Sequence, residues 1–274
     1  MTAGAQGVRA IDRFCLVSAN AGRLAVFYEA AFDARVLRRD RRAGEPLKSA
    51  RTVTLAIGNE YIELITFDNA GKPYPADAIV SDVTFQHFAM VVPNIEEAYS
   101  RLRAIDGWQP ISRGGPQQLP ASTGGVTAFK FRDPEGHPLE LIEFRQDAMP
   151  ARWQDSASSS IVRGIDHTAI SVADFAVSIA FYEALGLRVS GRSINHGGEQ
   201  DRLDGIDSTR VEVIALTPPD PTPHIELLSY TTRRFVPAAG PRDIAATQVV
   251  FTADVALGAL HDPDGHRLFV SAIE

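Results

Sequence analysis

Residues 11–30 read IDRFCLVSANAGRLAVFYEA, and residues 165–184 read IDHTAISVADFAVSIAFYEA. Ile-Asp opens both stretches and Phe-Tyr-Glu-Ala closes both, at a constant offset of 154 residues and without a gap. Self-similarity at a fixed offset marks a chain built from repeated supersecondary units. Each stretch begins as a strand. Asn20 and Asp174 then stand where a helix starts, because their side-chain oxygens can satisfy the first backbone N–H groups. Apolar residues follow at helical spacing: Leu24, Phe27, Tyr28 and Ala31, then Phe175, Ile179, Tyr182 and Leu185. Gly186 falls where the second of these helices should stop.

A third copy lies between them. Residues 85–92 form its first strand, Asn94 its cap, and Ile95, Ala98, Tyr99 and Leu102 its apolar helix face. Asn94 and Glu97 have capping-box spacing, with Asn in place of Ser or Thr, and Gly107 ends the helix. Strands resume at 35–37, 52–57 and 61–67; at 109–111, 126–131 and 138–144; and at 188–194, 210–216 and 224–230. A turn also repeats: DPEGHPLE at 133–140 and DPDGHRLF at 262–269. In each, Pro fixes its own φ, Gly supplies the left-handed position, and an apolar strand follows. The unit is therefore strand–helix–strand–strand–strand. It occurs at 11–67, 83–145 and 162–230, and in shortened form at 246–274. From Asn94 to the Asp133 turn is 39 residues, but from Asp254 to Asp262 only 8, so the helix and second strand of the last copy are missing. The expected class is α+β, with two-unit regions at 8–145 and 162–274. The segment between them, 146–161, carries Pro150 and the run SASSS and reads as a flexible linker.

Composition narrows the function. Twenty-seven Lys and Arg against 34 Asp and Glu leave a net charge of −7, which argues against broad nucleic-acid binding. The basic run Arg38-Arg39-Asp40-Arg41-Arg42 is too short to reverse this and reads as a solvated strand end. No stretch approaches a membrane span, and residues 1–9 lack the pattern of a signal peptide. Cys15 is the single cysteine; it excludes an internal disulfide or a thiolate-rich zinc site and reads as a buried strand residue. A cytoplasmic protein, monomeric or homodimeric, with a small-molecule substrate is the expectation.

Four βαβββ units, with Phe-Tyr on the helix and Asp-Pro-[Asp/Glu]-Gly before the last strand, resemble the vicinal oxygen chelate superfamily, which includes glyoxalase I, extradiol dioxygenases and bleomycin-binding proteins. The resemblance spans residues 11–273. It implies that units pair into two cup-shaped curved sheets, with metal ligands on the first and last strand of each unit. Carried onto this chain, those positions are Arg13 and Glu63, His87 and Glu140, His167 and Glu226, and Gln248 and Phe269. Pairing in chain order would spoil both sites, one with a cation and the other with a phenyl ring. Pairing the middle units instead would join His87, Glu140, His167 and Glu226, a complete two-His, two-Glu set, and leave the degenerate positions to units one and four. A separation of His87 and His167 beyond ~10 Å would exclude this, since metal–nitrogen bonds are about 2.1 Å.

The resemblance further implies one divalent metal (Zn, Ni, Mn, Fe or Co), with Glu140 or Glu226 moving a proton as an enediolate or oxyanion develops on the substrate. That is the chemistry of a glyoxalase-like lyase or isomerase. A metal-free, drug-sequestering binding protein and an extradiol-type dioxygenase are the alternatives. Two insertions, 113–125 and 195–207, both follow the second strand of a middle unit and are placed to cover one cup; Gln117, Gln118, Glu199, Gln200 and Arg202 are their candidate substrate contacts. His137 and His266, beside the repeated turns, read as structural. His196 reads as a loop residue and His224 as a strand start. Gly197-Gly198 lacks the spacing of a phosphate loop and is expected to have no helix after it.

Overall fold

The computed structural model describes residues 7–42, 50–154, 160–221 and 223–273. Most of the segment 1–9 and four residues of the SASSS run lie outside these. Unit one consists of β1 (Val8–Val17), α1 (Ala21–Phe32), β2 (Arg35–Arg42), β3 (Ala50–Ile57) and β4 (Glu60–Phe67). Unit two contains β5 (Gln86–Val91), α2 (Ile95–Arg103), the short β6 (Gln109–Pro110) and β7 (Gln117–Gln118), β8 (Thr127–Arg132) and β9 (Pro138–Glu143). A one-turn helix, α3 (Ala151–Gln154), precedes unit three. That unit has β10 (Gly164–Ser171), α4 (Phe175–Ala184), β11 (Arg188–His196), α5 (Gly198–Asp204), β12 (Arg210–Thr217) and β13 (His224–Tyr230). Unit four keeps only β14 (Gln248–Ala253), β15 (Gly258–His261) and β16 (Arg267–Ala272).

The caps act as their chemistry requires. Asn20 accepts from Arg23 N, Asn94 from Glu97 N, and Asp174 from Ala176 N and Val177 N. Each side chain satisfies donors that the first helical turn cannot.

The strands form two open, curved sheets. One has the order β15-β16-β14-β1-β4-β3-β2 and joins units one and four. The other has the order β11-β12-β13-β10-β5-β9-β8-β6, with β7 also on β8, and joins units two and three. Each of the stretches 8–145 and 162–274 thus contributes one unit to each sheet. The faces turned away from the cups meet in the common core, where Phe14 stacks on Phe88 at 5.6 Å and Phe32 of α1 meets Phe131 at 6.0 Å.

Consecutive units are tied by the repeated turn. Asp133 opens the first Asp-Pro-x-Gly-His turn and accepts from the hydroxyl of Tyr28 (3.1 Å), while His137 Nε2 bonds Val17 O at 3.0 Å. In the other half, Asp262 accepts from Tyr182 (3.2 Å) and His266 Nε2 bonds Ser171 O at 3.0 Å. Sequence reading assigns Tyr28 and Tyr182 to the core, and both are fully buried. Their hydroxyls also lock the turn of the following unit, which accounts for the repeat of Phe-Tyr and of the turn together.

The described part of the linker, 146–154 and 160–161, is more structured than its composition predicts. Trp153 is buried, and the Arg152 guanidinium lies 4.3 Å from its ring centre. Arg152 also meets Glu60 at 2.9 Å, and the other oxygen of Glu60 accepts from Ile165 N at 2.9 Å, joining the two sheets. Gly58 and Gly164 make this approach possible. A Cβ on Gly58, whose φ is +57°, would lie 1.9 Å from Arg163 O, and one on Gly164 would lie 2.0 Å from Glu60.

Burial raises the Glu60 carboxyl to about 7, against the opposing Ile165 N–H and Arg152. The folded chain therefore holds this proton more tightly than the unfolded chain. The resulting stabilisation is fully present below the ordinary value of 4.5 and is lost as pH rises through 7. Urea unfolding from pH 5 to 8 should show Glu60→Gln gaining on the wild type with rising pH, by up to about 3 kcal/mol. A difference independent of pH would refute this.

Candidate functional site

The second sheet gathers the chemistry. In its register His167 pairs with Ala89, Ala89 with Glu140, and Glu140 with Lys130; in the adjacent row His87 pairs with Ala169, and Ala169 with Glu226. His87, Glu140, His167 and Glu226 thus share one face of four adjacent strands, above a floor of two buried alanines. The ring centres of His87 and His167 are 6.1 Å apart. His87 Nε2 lies 3.0 Å from Glu140 Oε2, and His167 Nε2 lies 3.7 Å from Glu140 Oε2 and 3.6 Å from Glu226 Oε2. Ligand atoms of His87, Glu140 and His167 all fall within 4.8 Å of one another.

A β-bulge brings in a residue that alternation would send to the other face. The register slips between Ile165 and His167, and a bulge re-aims side chains in this way. Asp166 consequently stays beside His167 and lies 3.1 Å from its Nδ1. Asp166 also accepts from the indole N–H of Trp153 at 2.9 Å. The chain Trp153–Asp166–His167 holds the imidazole with Nε2 turned into the cup. A carboxylate behind a histidine is the usual support of a metal-binding imidazole. The same slip occurs between Ile11 and Arg13, so the repeated Ile-Asp marks a bulge in both units.

The electrostatics follow from burial and neighbours. Burial lowers His87 despite Glu140, leaving it neutral. For His167, burial opposes charge, but Glu226, Asp166 and Glu140 outweigh it and hold the proton well above the usual histidine value. Burial would raise Glu140; Lys130 and the two histidines instead hold it well below the carboxylate range. Glu226 is lowered by His167 and His224, against burial and the repulsion of Glu140. Two carboxylates, Glu140 buried and Glu226 half-buried, around two imidazoles form a site short of positive charge. Nitrogen and oxygen donors of this kind suit a first-row divalent ion. The residues present therefore fit such a metal.

The cavity at this site is about 210 Å³ and is also lined by Lys130, Gln200, Tyr230, Asn195 and Leu119. Lys130 Nζ is 2.6 Å from Asp204 Oδ1, while the other oxygen of Asp204 accepts from Gln200 Nε2 (2.8 Å) and Tyr230 OH (3.1 Å). Sequence reading missed Lys130, Asp166, Asp204 and Tyr230. The signal for Lys130 was its place in the apolar run TAFKFR, where an inward cation needs a partner.

The two insertions do meet. Arg113 N donates to Arg202 O (2.7 Å), and Ser112 Oγ donates to Leu203 O (2.8 Å). Of the five candidate substrate contacts, only Gln200 lines the cavity. Gln117 instead accepts from Arg202 Nε at 2.6 Å and donates to backbone carbonyls; Arg202 and Gln118 are exposed, and Glu199 lies 3.5 Å from Arg202. Long polar side chains on facing insertions satisfied one another. Two further expectations are corrected. Gly197-Gly198 is followed by a helix, the seven-residue α5, and His196 ends β11. His224 begins β13 and lies 3.6 Å from Glu226 Oε1, while Glu143 turns outward to accept from Ile95 N, at the start of α2.

No helix among the described residues is long and apolar enough to cross a membrane. No curated protein matches the sequence. Glyoxalase I from Zea mays is similar in structure: a crystal structure of one of its point mutants gives a TM-score of 0.64 at 16% identity, over 97% of this chain and 94% of that one. A candidate dioxygenase from Bacillus subtilis gives 0.60 at 11% identity, over 98% and 86%. At such identities the likeness is one of fold. A family model matches residues 10–141 and 164–255, spanning parts of all four units. With the paired βαβββ architecture, that match places the chain in the Glyoxalase/Bleomycin resistance protein/Dioxygenase superfamily.

Proposed function

We propose that this chain is a metal-dependent enzyme, a glyoxalase-like lyase or isomerase acting on a small oxygen-rich substrate. The observation that carries this reading is the convergence of His87, Glu140, His167 and Glu226 on one buried cavity. A divalent ion held there supplies Lewis-acid stabilisation of oxyanion charge. The protein supplies the proton transfer. Both carboxylates line the cavity, and Glu226 is the suited base because its side chain is 25% exposed, against 7% for Glu140. Glu140 is fixed by His87 and the charge of Lys130 and serves as the static carboxylate. Glu226 takes a proton from the carbon beside a substrate carbonyl and returns it elsewhere on the same molecule or with loss of a leaving group. A cavity of about 210 Å³ lies below the range of drug-sized ligands, so the substrate is small.

One observation favours a second reading. His87, Glu140 and His167 group more closely with one another than with Glu226, and two imidazoles with one carboxylate are the set of iron-dependent oxygenases. The test is reconstitution with Mn, Fe, Co, Ni or Zn, followed by elemental analysis and proton NMR of small α-hydroxy carbonyl compounds in D₂O. The lyase or isomerase reading expects about one metal per chain and exchange of the carbon-bound proton, lost in Glu226→Gln. Oxygen consumption without exchange would favour the oxygenase. Failure to retain any metal would leave the metal-free binding protein.

A further inference from the structure

The first sheet has a cup of its own, in which the corresponding positions carry Arg13, Glu63, Gln248 and Phe269. Arg13 stands where unit three has His167, and its Nε lies 3.3 Å from Glu63 Oε2. Asp12, carried inward by the bulge, also contacts Arg13. Glu63 thus has its counterion within the protein, and Phe269 removes the second carboxylate. The charge that remains is Arg267. It pairs with Gln248 in the β14–β16 register and lies on the same face.

Arg267 is half-buried, and among the described residues no carboxylate partners it. Its guanidinium instead meets the acceptor nitrogen of exposed His261, 3.2 Å away. A desolvated guanidinium without a counterion is costly, and burial holds its proton affinity below the ordinary value. The carboxylates that line the hollows beside it are committed elsewhere, Asp77 to Arg234 and Glu63 to Arg13. Asp243 accepts from Lys72 N and Gly240 N, and Asp82 accepts from Arg234.

Two hollows meet at this guanidinium. One, of about 170 Å³, is floored by Phe269 and Val250; the other, of about 390 Å³, lies between the segments that lead into units two and four, with Tyr74 and Pro237 in its walls. Arg267 and Ala246 line both. A charged group beside apolar walls, Phe269 and Val250 in one hollow and Tyr74 and Pro237 in the other, matches an anion carried on a small apolar body, and guanidinium engages a carboxylate or phosphate through paired hydrogen bonds.

We propose that the cup of units one and four is a separate binding site for a small organic anion, held by Arg267 and Gln248 with its apolar body against Phe269 and Tyr74. This site is independent of the metal reading of the other cup. The test is isothermal titration of the full chain with benzoate, phenyl phosphate and the neutral isostere benzamide, with and without added metal. At least one anion should bind with one equivalent per chain in both states, while benzamide should not. Arg267→Gln should weaken binding by about tenfold or more, Arg267→Lys by less, and Glu226→Gln in the other cup should have no effect. Phe269→Glu, which sets a carboxylate beside the guanidinium, should abolish binding and serves if Arg267→Gln does not fold. Binding by neither anion, equal binding of benzamide, or affinity unmoved by Arg267→Gln and Phe269→Glu would overturn the proposal. Binding seen only with metal and lost in Glu226→Gln would move the anion to the other cup and overturn it equally.

Discussion

If the proposed metal site is right, replacing His167 by alanine should abolish retention of a divalent metal, and His87→Ala should do the same. The two residues lie on strands from different units, β10 and β5, yet their ring centres are 6.1 Å apart over one cavity. Loss in both variants is expected because His87, Glu140 and His167 form one compact group. The effect should extend beyond the ligands. Asp166→Asn leaves His167 in place but weakens the acceptor behind Nδ1, and a weakening of about 10–100-fold is the usual consequence of such a change. Trp153→Phe removes only the indole donor to Asp166 and should act in the same direction, less strongly. Elemental analysis after dialysis against graded chelator reads all four variants. Full metal retention in either histidine variant would show that the two do not share a site.

Lys130→Met should destabilise the fold by about 3–5 kcal/mol, the usual cost of leaving one member of a buried ion pair alone. Lys130 and Asp204 are both buried at 2.6 Å, and no other cation bonds Asp204 among the described residues. Gln200 and Tyr230 would keep the orphaned carboxylate hydrogen-bonded without neutralising it. Adding Asp204→Asn should restore much of the loss, so the double variant should be more stable than the sum of the singles. Lys130 also holds Glu140 below its ordinary value. A depressed carboxylate stabilises the fold above its unfolded value and loses that contribution as pH falls. Without Lys130 less remains to be lost in acid, and the Lys130→Met penalty should shrink toward low pH. Urea unfolding at neutral and acid pH measures both effects; additive penalties would refute the pairing argument.

The repeat, the three helix caps and the turn were legible because each is local: a cap is one side chain and three backbone donors, a turn is Pro and Gly in fixed order. The ligand positions implied by the resemblance favoured pairing the middle units, since chain-order pairing would place Arg13 among ligands, but the sequence left both pairings open. What escaped the sequence was tertiary. Asp166 reaches the cup only through a bulge, and a one-residue register slip leaves no compositional trace. Trp153 looked like linker because Pro and Ser surround it, yet it is buried in a cluster with Val91 and Ile142 on the cup face of the second sheet. Gln117 and Arg202 were assigned to a ligand and satisfy each other. The hydroxyl hydrogen bonds of Tyr28 and Tyr182 could be read only once the turn of the following unit was known to lie against them.

The joining of the first and last units has a consequence for how the chain is made. Cys15 pairs with Gln248, so the first unit leaves the ribosome long before its neighbour across β1 exists. During synthesis β1 has β4 on one side and a bare edge on the other, the kind of edge that recruits foreign strands. The other sheet needs only the middle of the chain and can close earlier. Such long-range pairing slows folding, and domains generally fold as they emerge. The half that carries the four converging residues would therefore be assembled while the half with the anion cup still awaits its last three strands.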